Sequence, residues 1–182
     1  MTDFSDSELL EKFRNPDTCH YAFNLLVKKY QQRVYWHVRR IVIDHDDAND
    51  VVQNIFIKVW KNLSGFREHS QLYTWLYRIA TNESISFLNS KRTKFFLPLV
   101  DVENELSTRL SNDPLFSGDT IQRKLQQAVL KLPQQQRIIF NMKYFDHMKY
   151  EEISEVLGVT VGALKASYHH AVKKIEKYLT GN

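Results

Sequence analysis

Apolar residues recur along this chain at three- and four-residue steps, the spacing that gathers them on one side of an α-helix. Phe23, Leu26, Val27, Tyr30, Val34, Val38 and Ile41 mark one such stripe over about 20–42. Ala48, Val51, Val52, Ile55, Val59 and Leu63 mark a second over about 46–62, with Asp46, Asp47 and Asp50 at its start, where the helix dipole favours negative charge. Ahead of both, Ser5-Asp6-Ser7-Glu8 has the spacing of a capping box in front of Leu9, Leu10 and Phe13. A short loop, Ser64-Gly65-Phe66-Arg67-Glu68-His69, leads into a helix predicted over about 70–90, with Ser70 a candidate cap. Further on, Ile121, Leu125, Ala128, Val129 and Leu132 form a stripe stopped by Pro133, which can itself open a helix of about 133–145 bearing Ile138, Ile139, Met142 and Phe145. Two more helices are expected at about 150–157 and 161–178. The fold class is therefore expected to be all-α.

The stretch 95–119 breaks the pattern. Two of the four prolines fall here, and Asp and Glu outnumber Lys and Arg by five to one. A linker between two small helical domains, 1–94 and 120–182, is the expected organisation. Composition agrees with helices: Gly and Pro together supply only 9 of 182 residues, about half of ordinary usage. No apolar run approaches the roughly 20 residues that cross a bilayer, and the first residues lack the blocks of a secretory signal. The single cysteine, Cys19, has no partner for an internal disulfide, so a cytoplasmic protein without membrane insertion is expected. The net charge of +4 is divided unevenly. Residues 1–94 carry 14 cations against 11 anions and residues 120–182 carry 10 against 5, so each block offers itself to a polyanion.

The sharpest local signal lies at 150–165, where a short amphipathic helix ends at Gly158 and Thr160 is placed to cap the next. That is the arrangement of a helix-turn-helix, whose second helix enters the major groove. Its outward residues are expected to include Val161, Lys165, Ser167, Tyr168, His169, Lys173 and Lys174, while an αα-corner used only for packing is the alternative. A second signal is the polar stripe Arg78, Asn82, Ser86 and Asn89 among the aromatics Tyr73, Trp75 and Tyr77, ahead of Lys91 and Arg92. Aromatic rings beside cations suit single-stranded nucleic acid, since every base offers a face for stacking; Trp75 as core, and Tyr73 and Tyr77 as plain amphipathic surface, is the other reading. Over 46–62, Asp50, Gln53, Asn54, Lys58 and Lys61 present a polar face, and Phe56 and Ile57 are expected exposed beside it as a protein contact. No Gly-rich phosphate loop, nucleophile elbow or metal-ligand spacing occurs, so no enzyme, cofactor or metal site is expected.

Taken together, these segments resemble the extracytoplasmic-function (ECF) group of bacterial RNA polymerase sigma factors. Asp47 to Trp60 is similar to their core-binding helix, Phe66-Arg67 with Tyr73 to Asn82 to their promoter-melting segment, and Leu132 to Arg137 with the helix-turn-helix to their C-terminal domain. The resemblance implies sigma domain 2 at 1–94 and sigma domain 4 at 120–182. It assigns Asp50, Gln53, Asn54 and Lys58 to the β′ clamp coiled coil of core RNA polymerase. Phe66, Arg67, Tyr73, Trp75, Arg78, Asn82, Lys91 and Arg92 fall to the −10 element, where a base is captured out of the stack. Thr160, Val161, Lys165, Ser167, Tyr168, His169 and Lys173 fall to the −35 element, with domain 4 also holding the β flap. Promoter DNA and core polymerase are the implied partners, an anti-sigma protein is a further one, and the acidic linker would run toward the RNA exit path. Ser167 and His170 stand where many relatives carry arginine, and Lys149 stands where a Ser or Thr often caps the following helix. The competing readings are a stand-alone helix-turn-helix regulator with an N-terminal sensor half, and a sigma-like antagonist that binds polymerase without opening DNA.

Overall fold

The computed structural model describes residues 4–95, Thr108 and 120–181. Among them are eight α-helices, which we number α1 Asp6–Arg14, α2 Cys19–Val42, α3 His45–Asn62, α4 Leu72–Phe95, α5 Thr120–Leu130, α6 Gln134–Tyr144, α7 Tyr150–Leu157 and α8 Val161–Thr180. A single 3-10 turn, Leu63–Gly65, follows α3. The expected linker falls outside the described residues apart from Phe95 and Thr108.

Helix α2 organises the N-terminal half. Leu26, Tyr30, Val34, Val38 and Val42 repeat every four residues and are buried against α1, α3 and α4. The predicted capping box holds: Ser5 N–H donates to Glu8 Oε2 at 2.7 Å and Glu8 N–H donates to Ser5 Oγ at 3.3 Å. Helix α3 begins one residue earlier than expected, because Asp44 caps it by accepting from Asp47 N–H at 2.9 Å. Between these helices Ile43 is buried at a φ of +70°, a left-handed conformation uncommon for a β-branched residue, held by its N–H bond to Arg39 O at 2.9 Å. Helix α4 starts at Leu72 rather than Ser70, its first turn closing with Trp75 N–H on Gln71 O at 3.1 Å, and it runs on to Phe95.

In the C-terminal half, α5 and α8 pack on α6 through Ala128, Val129, Phe140, Ala171 and Ile175. Pro133 stands one position outside α6 instead of within its first turn, and its carbonyl accepts from Arg137 N–H at 3.0 Å. Helix α7 has no Ser or Thr cap. Its start is secured by Glu152, whose carboxylate accepts from Lys149 N–H at 2.7 Å. Gly158 ends α7 at a φ of +68°, and Thr160 Oγ1 caps α8 by accepting from Ala163 N–H at 3.4 Å. A third apolar cluster joins the halves, gathering Tyr77 and Leu88 of α4 with Met142, Ile153 and Val156 from α6 and α7.

Apart from the glycine itself, its chain neighbours and its own helix backbone, no atom lies within 4 Å of a Cβ built at either Gly158 or Gly162, so only the backbone decides what alanine does there. Gly158→Ala forces a side chain into the left-handed region and should lower stability by about 1–2 kcal/mol. Gly162→Ala, in an ordinary helical conformation, should raise it by about 0.4–1 kcal/mol. Urea unfolding of the two variants checks the opposite signs.

Candidate nucleic-acid interface

Three polar faces stand out on this frame. The first is the outer side of α3. With Ala48, Val51, Ile55 and Val59 turned inward, the helical period forces Asp50, Gln53, Asn54 and Lys58 outward, and all four are exposed. Lys58 Nζ lies 2.5 Å from Glu83 Oε1, tying this face to α4. Ile57 is 46% exposed beside it as expected, whereas Phe56 is only 9% exposed. Phe56 shares the inward stripe with Val52 and Val59, about one helical turn to either side, so its burial overturns the expectation that it faces a partner.

The second face comprises the loop before α4 and the helix itself. Phe66 is 8% exposed and packs on the half-buried Trp75 with ring centroids 5.2 Å apart. The two rings support the loop from beneath, leaving Arg67 exposed above them. Tyr77 is buried, not amphipathic surface. Tyr73 lies 5.2 Å from it and 5.1 Å beneath the Arg33 guanidinium. Its hydroxyl donates to Glu152 Oε2 at 3.0 Å, and burial first, then the Glu152 charge, raises its pKa above the ordinary phenol value. Arg78 and Asn82, one turn apart, are exposed. Lys91 donates to Asp47 across the α3–α4 contact, and the Arg92 side chain lies outside the described residues. Beside the loop opens a cleft of about 470 Å³ edged by Asp6, Phe66, Glu68, His69 and Glu155.

The third face belongs to α8. Lys165, His169 and Lys173 recur every four residues and are exposed along one side. Val161 and Ser167 are half-buried, and the Thr160 hydroxyl is engaged as the cap. Tyr168 turns inward, its ring 5.8 Å from Phe140 and nearly parallel to it, since it occupies the core stripe with Leu164, Ala171 and Ile175. Lys174 is occupied by Gln136, 3.0 Å away.

Two family models match this chain: Sigma-70 region 2 over residues 26–93 and Sigma-70 region 4 over residues 122–175. The RNA polymerase sigma-H factor of Pseudomonas aeruginosa is 31% identical over 98% of this chain and 96% of its own length. ECF RNA polymerase sigma factor SigW of Bacillus subtilis is 30% identical over 87% of this chain and 89% of its own. The ECF RNA polymerase sigma-E factor of Escherichia coli K12 is 31% identical over 94% and 93%. The chain belongs to the ECF sigma factors. Members of this family are initiation factors that direct RNA polymerase to promoters. The fold agrees: CnrH, solved in complex with the cytosolic domain of CnrY, superposes on this sigma factor with a TM-score of 0.69 at 20% identity, each chain covered to 96%. RpoE of Bartonella quintana, solved with the anti-sigma factor NepR, also gives 0.69, at 19% identity over 87% of this chain and 96% of its own. Among the described residues of this sigma factor, no helix is long and apolar enough to cross a membrane.

Sequence reasoning missed Arg33, which sits on Tyr73, and the part Glu152 takes between α4 and α7. It missed also a buried cluster of His37, Arg40 and Asp146. The one signal for the cluster was His37 itself, a polar residue on the stripe of Val34, Val38 and Ile41.

Stability should separate the exposed contacts from their supports. Arg78→Ala and Asn82→Ala should unfold within about 0.5 kcal/mol of the parent, as surface substitutions do. Phe66→Ala empties a packed site and should lose about 3 kcal/mol or more. Chemical denaturation monitored by helical circular dichroism measures both.

Proposed function

We propose that residues 1–94 act as sigma domain 2 and residues 120–182 as sigma domain 4, the first opening the −10 element and the second reading the −35 element. The observation that carries this reading is the order of the three exposed faces within the two matched regions: α3 and α4 inside 26–93, α8 inside 122–175. Asp50, Gln53, Asn54 and Lys58 form the docking face for the β′ clamp coiled coil, and domain 4 holds the β flap. An anti-sigma protein would compete for these same faces. The polymerase supplies the chemistry, and this chain supplies address and strand opening.

At the −10 element, Arg67 and Arg78 take the phosphates, and Asn82 hydrogen-bonds an unpaired base. Phe66 and Trp75 hold the loop from below. The cleft beside the loop, edged from the N-terminal half by Asp6 and Glu68, suits a base better than a phosphate: carboxylates accept from exocyclic amino groups and repel anions. Extruding a base costs a few kcal/mol, which contacts of roughly 1–3 kcal/mol per base can offset. At the −35 element, Lys165, His169 and Lys173 line the major groove, Val161 meets base edges at the N-terminal turn, and Ser167 reaches the backbone. Thr160 and Tyr168 act through the structure: one caps the helix, the other seats it on α6.

Two variants separate the grips. Asn82→Ala should leave binding to closed duplex intact and cut permanganate reactivity around −10 several-fold in reconstituted holoenzyme. Lys165→Ala should weaken binding upstream and flatten its salt dependence by about one ion. Holoenzyme that gives no promoter-dependent transcript, where other sigma factors do, would overturn the reading.

A further inference from the structure

Trp36 is a large aromatic residue that the core does not use. It lies on α2, half-exposed, and joins none of the three apolar clusters of the described residues. Its ring neighbour there is Tyr35, with centroids 5.4 Å apart and planes at 72°. At about 100° per residue, Lys29, Arg33, Trp36 and Arg40 fall within an arc of about 60° on α2, in a row about 16 Å long. Three cations therefore share one stripe with a partly bare indole, the combination that suits single-stranded nucleic acid.

The cations are not equally free. Lys29 Nζ is 2.9 Å from Asp6 Oδ1 and donates to the Phe4 carbonyl at 3.0 Å. Arg40 is taken up by Asp146 at 2.8 Å and by the Phe145 ring at 4.7 Å. Arg33 is exposed and makes no ion pair among the described residues. Its guanidinium sits over the Tyr73 ring at 5.1 Å, while Glu152 occupies the Tyr73 hydroxyl at 3.0 Å. A guanidinium on a ring is held in place by its face and keeps the N–H groups of its edge for an anion. The stripe also has an address. Asp6, which holds Lys29, edges the cleft of about 470 Å³ beside the loop, so the row starts at the rim of that cleft and runs past Tyr73 of α4.

We propose that Arg33 and Trp36 of α2 form a second line of contact for the unpaired −10 strand, Arg33 taking a phosphate and Trp36 stacking on a base, with Lys29 joining this line to the base cleft. The proposal rests on the reading of residues 1–94 as sigma domain 2 and adds residues to it that lie off α4 and its loop. A phosphate contact and a stacking contact carry no sequence preference. This line therefore holds the strand open once it has parted, and leaves selection of the base to the cleft and Asn82.

The test uses reconstituted holoenzyme with two forms of one promoter: a full duplex kept closed on ice, and a fork whose −10 strand is unpaired. Trp36→Ala should weaken binding of the fork at least five-fold, and Trp36→Phe, which keeps a ring, should regain most of the loss. Arg33→Ala should lower the salt slope on the fork by about 0.7, the share of one single-strand phosphate. All three should bind core polymerase and closed duplex as the parent does, with helical circular dichroism unchanged. Lys28→Ala, which removes an exposed cation about 100° around the same helix, should change none of these. A benzophenone side chain in place of Trp36 should cross-link to the unpaired strand of the fork. Unchanged fork binding, equal losses in core binding, an equal effect of Lys28→Ala, or no cross-link to DNA would each overturn the proposal. Asn82→Ala is measured on the same fork: if it weakens binding and the α2 variants do not, the α2 line fails alone. If no variant separates fork from duplex, the −10 reading fails with it.

Discussion

Burial of α2, along one stripe at first and on nearly every side from Val34 to Val42, is the constraint from which the remainder follows. A helix of 24 residues has more surface than one neighbour can cover, and here α1, α3, α4 and α6 share it. Its stripe from Leu26 to Val42 takes the first three of these, and the crossing fixes which sides of α3 and α4 stay wet. Arg39 is enclosed in the same helix, and burial draws its guanidinium below its ordinary range while Tyr35 and Asp44 oppose that shift. Such groups are tolerated only where surrounding polar atoms compensate, so they narrow the ways the bundle can assemble.

The three exposed polar faces are what this packing leaves over. On α3 the apolar stripe uses one side, and the polar side becomes a continuous exposed ledge. On α4 the partition is finer, with Tyr77 and Leu76 enclosed, Tyr73 and Trp75 shared, and Arg78 and Asn82 outside. On α8, Leu164, Ala171 and Ile175 anchor the helix so that its cationic side turns away from the protein. One rule, that the inner stripe fixes the outer, orients all three.

Much of this was legible in the residues. The eight helices follow from stripes and caps, and Thr160, Gly158 and the Ser5 capping box occupy the roles their residue types suggest. Errors arose where one residue lay on the margin of a stripe. Phe56 and Tyr168 each fit both an outward and an inward position by spacing, and packing against neighbours placed them inside. Helix starts slipped by one or two residues where an unanticipated carboxylate or carbonyl closed the first turn, as at Asp44 and Gln71. The contact of the two halves was not legible, because nothing local links His37 to a turn more than 100 residues away.

The seam between the halves is laced with groups that water can take over: a carboxylate, a guanidinium, an imidazole, an amide, a hydroxyl and the phenol of Tyr73. The same seam also buries the apolar cluster of Ile41, Tyr77 and Leu88 with Met142, Ile153 and Val156, so parting the halves would bare oily surface beside the polar groups, and the two kinds of contact hold the seam shut together.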